Sequence, residues 1–163
     1  QRNEVLSSFV QDYFSENTDV INVLEAGCGW KWHLDLGGIK YKLTGVDVSK
    51  GAIEFRRANE GDLDRVIVGD LRNVELDREE FDIVYCVNVI EHINGAKHVI
   101  TKFFTWLKSE GLLILVLSDR DSAFGFVTRV LPHWVHVLYY KYVVENQTLE
   151  CQELVRSLRT MIE

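Results

Sequence analysis

The sequence predicts an α/β fold, a doubly wound and mostly parallel sheet with helices on both faces. Three observations carry that prediction. Short, almost continuously apolar runs recur along the chain, as strands covered on both faces require. Stretches of helical periodicity separate them. The first apolar run breaks into a glycine turn, Glu25-Ala26-Gly27-Cys28-Gly29, at the point where such a sheet receives a ligand.

The elements follow in order. Val5, Leu6, Phe9, Val10, Tyr13 and Phe14 recur at helical spacing, which predicts an amphipathic helix over 3–15, ended by Asn17-Thr18-Asp19. Strands are expected at Val20–Leu24, Leu43–Val48, Asp64–Val68, Phe81–Val87 and Leu112–Leu117. Gly37-Gly38 interrupts the first crossover, so its helix should be short or distorted. Lys50–Asn59 reads as a helix with Ser49 as N-cap. Asn94–Leu107 reads as another, with Asn94 at its start and Gly111 beyond its end. After Leu117 the pattern turns helical and aromatic: Ser122–Leu131, then Pro132, then Trp134, Leu138, Tyr139 and Tyr142, then about Leu149–Ile162. The expectation is a single domain over 1–163, with a core at 20–118, a helical lid or tail at 119–163, and no terminal strands in the pattern.

Composition bounds the function. At 163 residues and 47% hydrophobic, the chain buries a core without disulfide or metal staples. A net charge of −7 argues against a nucleic-acid backbone as the main partner, because phosphate binding needs a basic face. Cys28, Cys86 and Cys151 are too few and scattered for a disulfide framework, and none pairs at zinc spacing. They read as reduced structural thiols, Cys28 and Cys86 filling strand ends that want a small apolar residue. No apolar run approaches the roughly 18 residues of a membrane helix, and the N-terminus shows no signal-peptide pattern, so a cytoplasmic protein is expected.

The chemistry concentrates at the predicted strand tips. Glycines at Gly27 and Gly29 let the backbone pass close to a ligand. Glu25, two residues earlier, would repel a pyrophosphate but can hold a cationic amino group. Asp47 ends the second strand twenty residues after Gly27, where an acid takes ribose hydroxyls; it can equally serve the start of the helix that follows. Gly69-Asp70-Leu71 ends the third strand, and Asp70 can accept from an exocyclic adenine amine or act as a solvated turn acid. Phe81 to His92 runs down the fourth strand into a loop, where Asn88 can touch cofactor or substrate. His92 is the candidate general base, the reference imidazole pKa being about 6.5. Against that, Glu91-His92 as a polar helix start is the stronger reading. His33, His98, His133 and His136 show no convergent metal pattern, so no metal is assigned. The stripe of Trp134, Tyr139, Tyr140 and Tyr142 reads as core or lid packing.

In this order, the Glu-x-Gly-x-Gly turn, Gly45-Val46-Asp47, Gly69-Asp70-Leu71 and Phe81-Asp82…Glu91-His92 resemble the class I S-adenosylmethionine-dependent methyltransferases, of the small-molecule, type 11 and ubiquinone-methyltransferase-like branch. The resemblance covers about residues 20–118. It implies a Rossmann-like fold and S-adenosyl-L-methionine as cofactor, with S-adenosyl-L-homocysteine as product. Gly27, Cys28 and Gly29 would pass under the methionine part, Glu25 would hold its amino group, and Asp47 would take the ribose hydroxyls. Val48 would pack on adenine, Asp70 and Leu71 would meet the adenine edge and ring, and Asn88 would line the methyl-transfer side. The implied reaction is in-line displacement onto a small-molecule acceptor, governed by positioning.

Two departures stand out. Trp30-Lys31-Trp32 replaces the family's third glycine, and five strands are legible by Leu117 where the family has seven. The rival reading is therefore a truncated or degenerate methyltransferase domain that binds cofactor and serves as an interaction module. A nicotinamide-dependent oxidoreductase ranks last, since it calls for a glycine near position 32 and no acid at Glu25.

Overall fold

The computed structural model describes residues 2–117. Its elements are α1 (Arg2–Tyr13), β1 (Ile21–Ala26), β2 (Tyr41–Asp47), α2 (Lys50–Asn59), β3 (Arg65–Val68), β4 (Phe81–Val87), a 3-10 turn at Ile90–His92, α3 (Ala96–Trp106) and β5 (Leu107–Val116). The helical tail expected over 119–163 lies outside the described residues.

The strands form one five-stranded sheet in the order β3-β2-β1-β4-β5. Every pairing is parallel, with Val23 opposite Leu43 on one side and Ile83 on the other. The chain steps one way across the sheet from β1 to β3 and the other way from β4 to β5. Right-handed crossovers therefore place the two sets of connections on opposite faces. Side chains of one strand face share period two, so Val23 and Glu25 point the same way. On that face Val23, Leu43, Ile83, Tyr85 and Ile114 form one core with Val10 and Phe14 of α1 and with Leu34 and Leu36 of the first crossover. Glu25 reaches Arg56 of α2 there. On the other face Leu24, Ala26, Val46, Val84 and Cys86 are fully buried, and Val99, Ile100, Phe103 and Trp106 of α3 are buried with them.

Three sequence expectations need correction. The first crossover holds no helix at all. Helix α1 braces it instead: Ser7 Oγ accepts from the Asp35 N–H at 3.0 Å and Gln11 Nε2 donates to the Asp35 carbonyl at 3.1 Å. Backbone groups that a helix would have paired internally find partners on α1. Secondly, Asn94 does not cap α3; the cap position is Gly95, at φ +84° and without a side-chain bond. Thirdly, β5 begins at Leu107, directly after α3, and contains Gly111. Leu107 pairs with Phe81, yet Leu112 already pairs with Ile83, so the polar residues between them form an irregularity in the ladder. A Cβ on Gly111 would sit 2.7 Å from Leu107 Cγ and 3.1 Å from the Asp82 carbonyl, so the bulge requires glycine. Lys108 Nζ bonds both oxygens of Asp82, at 2.9 and 2.8 Å, and Asp82 Oδ2 accepts the Asn22 N–H at 2.7 Å.

Candidate functional site

Strand order reverses at β1, whose neighbours β2 and β4 lead the chain in opposite directions. The crevice outside the carboxyl ends of such strands is where open α/β sheets bind ligands. Gly27 starts the turn after β1 at φ +80°. Its N–H and that of Cys28 both donate to the Val46 carbonyl, at 2.8 and 3.0 Å, which lashes the turn to β2. A Cβ on Gly27 would come within 2.3 Å of Val89 Cγ2, so glycine lets the segment after β4 close onto the turn. Gly29, at φ +51°, has nothing within 4 Å of the position a Cβ would take. The turn is thus packed on one side and open on the other.

Asp47, at the tip of β2, is oriented on both oxygens. Oδ2 accepts the Gly29 N–H and Oδ1 the Ser49 N–H, each at 2.8 Å. A carboxylate has roughly four acceptor sites, so the clamp leaves capacity for a pair of hydroxyls. Val48 beside it is 69% exposed, a free apolar surface at the mouth. Ser49 also caps α2, as expected, its Oγ accepting from the Ala52 N–H at 3.2 Å.

Glu25 is buried and is engaged by a residue that the sequence reading missed. Arg56 of α2 is fully buried; its Nη1 donates to Glu25 Oε2 at 2.7 Å and to the Cys28 carbonyl at 2.6 Å. The other edge of the guanidinium grips Asp62 in a fork, Nε to Oδ1 at 2.9 Å and Nη2 to Oδ2 at 2.8 Å. Burial pushes the Glu25 carboxyl above the ordinary carboxylate range, and the Arg56 guanidinium opposes that push. A signal was present in the sequence: Arg56 shares the buried stripe of α2 with Ala52 and Ile53, where an arginine needs an internal partner.

The remaining candidates lie at neighbouring strand tips. The Gly69 N–H bonds the Asp47 carbonyl at 2.9 Å, which sets Asp70 just beyond the β2 tip. Arg72 Nε bonds both Asp70 oxygens at 3.0 Å, and its guanidinium holds the carboxyl down at about 2. Leu71 is buried, so it lies beneath the surface of the crevice. Asn88 is exposed at φ +53°, its N–H tied to the Val116 carbonyl at 2.7 Å. Such a conformation is uncommon for a residue other than glycine and is found at ligand-facing loops. His92 is exposed on the 3-10 turn after β4, anchored by the buried Ile90. Cys28 is packed beneath the turn, and burial with the nearby Glu25 pushes its thiol up to about 12. Only its backbone can serve a ligand.

The two aromatics that replace the third glycine diverge. Trp30 is 58% exposed and meets Phe55 of α2 edge-on at 5.1 Å. Trp32 turns inward, against Tyr41 at 6.2 Å and Tyr85 at 5.3 Å. Two concavities, of about 640 and 390 Å³, lie at the opposite edge of the sheet, one lined by Tyr13, Asp82 and Lys108, the other by Asn22, Asp64 and Glu80. They sit at the amino ends of the strands, so strand polarity rather than concavity size assigns the site.

An acid-flanked glycine turn clamped to a second acid at the next strand tip, on a parallel doubly wound sheet, defines a nucleoside-binding α/β domain. The chain belongs to the methyltransferase-domain family, whose profile matches residues 24–115, and within it to the class I S-adenosylmethionine-dependent enzymes. Their cofactor is S-adenosyl-L-methionine. An uncharacterised protein of Methanocaldococcus jannaschii is 30% identical over 66% of this chain and 45% of its own length. The ubiquinone biosynthesis O-methyltransferase of Glaesserella parasuis is 25% identical over 88% of this chain and 72% of its own. The (S)-coclaurine N-methyltransferase of Papaver somniferum is 29% identical over 58% of this chain and 28% of its own. The chain thus spans less than half the length of two of these relatives. Among solved structures, the plantazolicin methyltransferase BpumL in complex with S-adenosylhomocysteine matches with a TM-score of 0.62 and 19% identity, over 94% of this chain and 60% of that one. A TehB-like methyltransferase of Corynebacterium glutamicum matches with a TM-score of 0.53 and 17% identity, over 75% and 71%. These likenesses establish the fold.

The residues present fit the cofactor. The open side of Gly29, the spare acceptor capacity of Asp47 and the bare Val48 side chain stand together at the tips of β1 and β2.

Proposed function

We propose that this domain binds S-adenosyl-L-methionine across the tips of β1, β2 and β4 and methylates a small-molecule acceptor by in-line displacement. The observation that carries the reading is the Asp47 clamp. One carboxylate orients the Gly29 N–H and the Ser49 N–H and still faces the crevice with acceptor capacity.

Asp47 takes the ribose hydroxyls, and Val48 offers its exposed face to the adenine ring. Gly27 and Gly29 give the methionine part close passage, Cys28 contributing backbone only. Glu25 binds the amino group. Asp70 borders the adenine edge with Leu71 packed beneath it, and Asn88 lines the side from which the acceptor approaches. When bound, the cofactor supplies an electrophilic methyl group on a sulfonium. The chain's own task is to hold the acceptor in line, at about 3 Å, and to keep water out. His92, exposed on the 3-10 turn, is the candidate to take the acceptor's proton, against a purely structural role at that turn. The identity of two curated relatives as an O- and an N-methyltransferase supports a small acceptor. The net charge of −7 weighs against nucleic acid. Among the described residues no helix is long and apolar enough to cross a membrane. The free, buried thiols of Cys28 and Cys86 agree with a reducing, cytoplasmic setting.

Calorimetric titration with S-adenosyl-L-methionine, S-adenosyl-L-homocysteine and NAD tests this directly. Micromolar binding of the two sulfur nucleosides alone is expected. Binding of NAD instead, or of none of the three by a folded chain, would reject it.

A further inference from the structure

The Glu25–Arg56–Asp62 cluster poses an electrostatic problem whose answer goes beyond the family assignment. Glu25 is the acid placed for the cofactor's amino group, yet it is buried, its carboxylate already bonded to a guanidinium. A simple Glu–Arg pair would be neutral and a poor host for a second cation. Asp62 changes the balance. It takes the Nε and Nη2 edge of Arg56 bidentately, leaving only Nη1 for Glu25 and the Cys28 carbonyl. With Glu25 ionised, the form a bound ammonium group favours, the three groups together carry one net negative charge. Asp62 is also the wetter end, its side chain 25% exposed against 6% for Glu25 and 0% for Arg56. Asp62 thus counters the Arg56 charge from the solvent side and leaves the Glu25 charge available at the strand tip.

The same guanidinium holds two points of the β1 turn, the Glu25 side chain and the Cys28 carbonyl three residues on. A buried ion pair is weak grounds for stability, since apolar packing often serves as well. Its placement here, bonded to the turn and to the acid at its root, fits a positioning task. We infer that Arg56 and Asp62 are positioning residues for the amino-acid end of the cofactor: Arg56 fixes the Glu25 carboxylate and the Cys28 carbonyl, and Asp62 returns the negative charge that lets Glu25 receive an ammonium group. This inference rests on the proposed cofactor reading.

The test compares two ligands that share a nucleoside. S-adenosyl-L-homocysteine carries the amino-acid end; 5′-methylthioadenosine lacks it. Both are titrated into the full chain and into its Arg56→Lys and Asp62→Asn variants, with melting curves to show folding. Each variant is expected to lose at least tenfold in affinity for S-adenosyl-L-homocysteine while binding 5′-methylthioadenosine within about threefold of the parent. A merely structural role would weaken both ligands alike, and that outcome, or no change in either, overturns the inference. Should Arg56→Lys fail to fold, Asp62→Asn decides, because its partly exposed position tolerates the isosteric change. Failure of the parent chain to bind either ligand is a separate result. It would remove the cofactor reading, and the inference with it.

Discussion

Asp47 shows how much a single side chain can be asked to do. Its carboxylate caps one loop and clamps another, and the ribose hydroxyls would be third and fourth partners. Each hydrogen bond to a charged acceptor is worth about 1.5–3 kcal/mol. Asp47→Ala should therefore lower cofactor affinity at least tenfold in calorimetry, and unchanged binding by the folded variant would refute the ribose assignment. His92 permits a cleaner separation, because it is exposed and outside the glycine turn. If it is the base, His92→Ala lowers kcat well over tenfold and leaves the dissociation constant of S-adenosyl-L-homocysteine unchanged; equal turnover makes it a structural residue. The two described thiols make an opposite kind of prediction. Burial raises both Cys28 and Cys86 to about 12. The thiolate is the reactive form, so a raised pKa leaves almost none of it at pH 8. Iodoacetamide at that pH should leave both peptides unmodified in the folded chain and label both after denaturation, as read by mass spectrometry.

At the scale of an element, the turn after β1 distinguishes its two glycines. Both adopt positive φ, which costs a side-chain-bearing residue about 1–2 kcal/mol. Only Gly27 is also crowded, by Val89. Gly27→Ala should cost about 2–5 kcal/mol once overpacking is added, and should splay the β4 segment away from the turn. Gly29→Ala should cost only the backbone part. Thermal melts of the two variants check the order, and equal losses would contradict the packing described for Gly27. Both glycines were legible in the sequence as a motif. Their different reasons were not, because Val89 lies more than sixty residues away and reaches Gly27 only through the β1–β4 pairing. Arg56 was missed for a similar cause. Helix α2 was read correctly to the residue, from Ser49 onward, but nothing local says what an arginine on its buried stripe bonds to.

For the whole molecule, the two-faced sheet rests on large side chains that cover it. Trp106 is 1% exposed and Phe103 fully buried on α3, among the largest buried groups described. Trp106→Ala should cost about 3–5 kcal/mol, seen as a lower urea midpoint at unchanged slope. Strand existence and parallel character followed from apolar runs bounded by turns, and β4 matched at both ends. What failed was governed by distant partners. The first crossover is held by Ser7 and Gln11 of α1, so it forgoes a helix. The start of β5 is polar and was hidden until Asp82 and Lys108 met across the ladder. By itself the sequence determined the class of fold, the order of strand tips and the residue types at each, because period, glycine and acid placement are local signals. Only the tertiary structure decided how those tips are wired: Asp47 to the glycine turn, and Glu25 through Arg56 to Asp62. Hydrogen bonds and charges act over a few ångströms of space, and those distances are set by the packing of segments that are far apart in the chain.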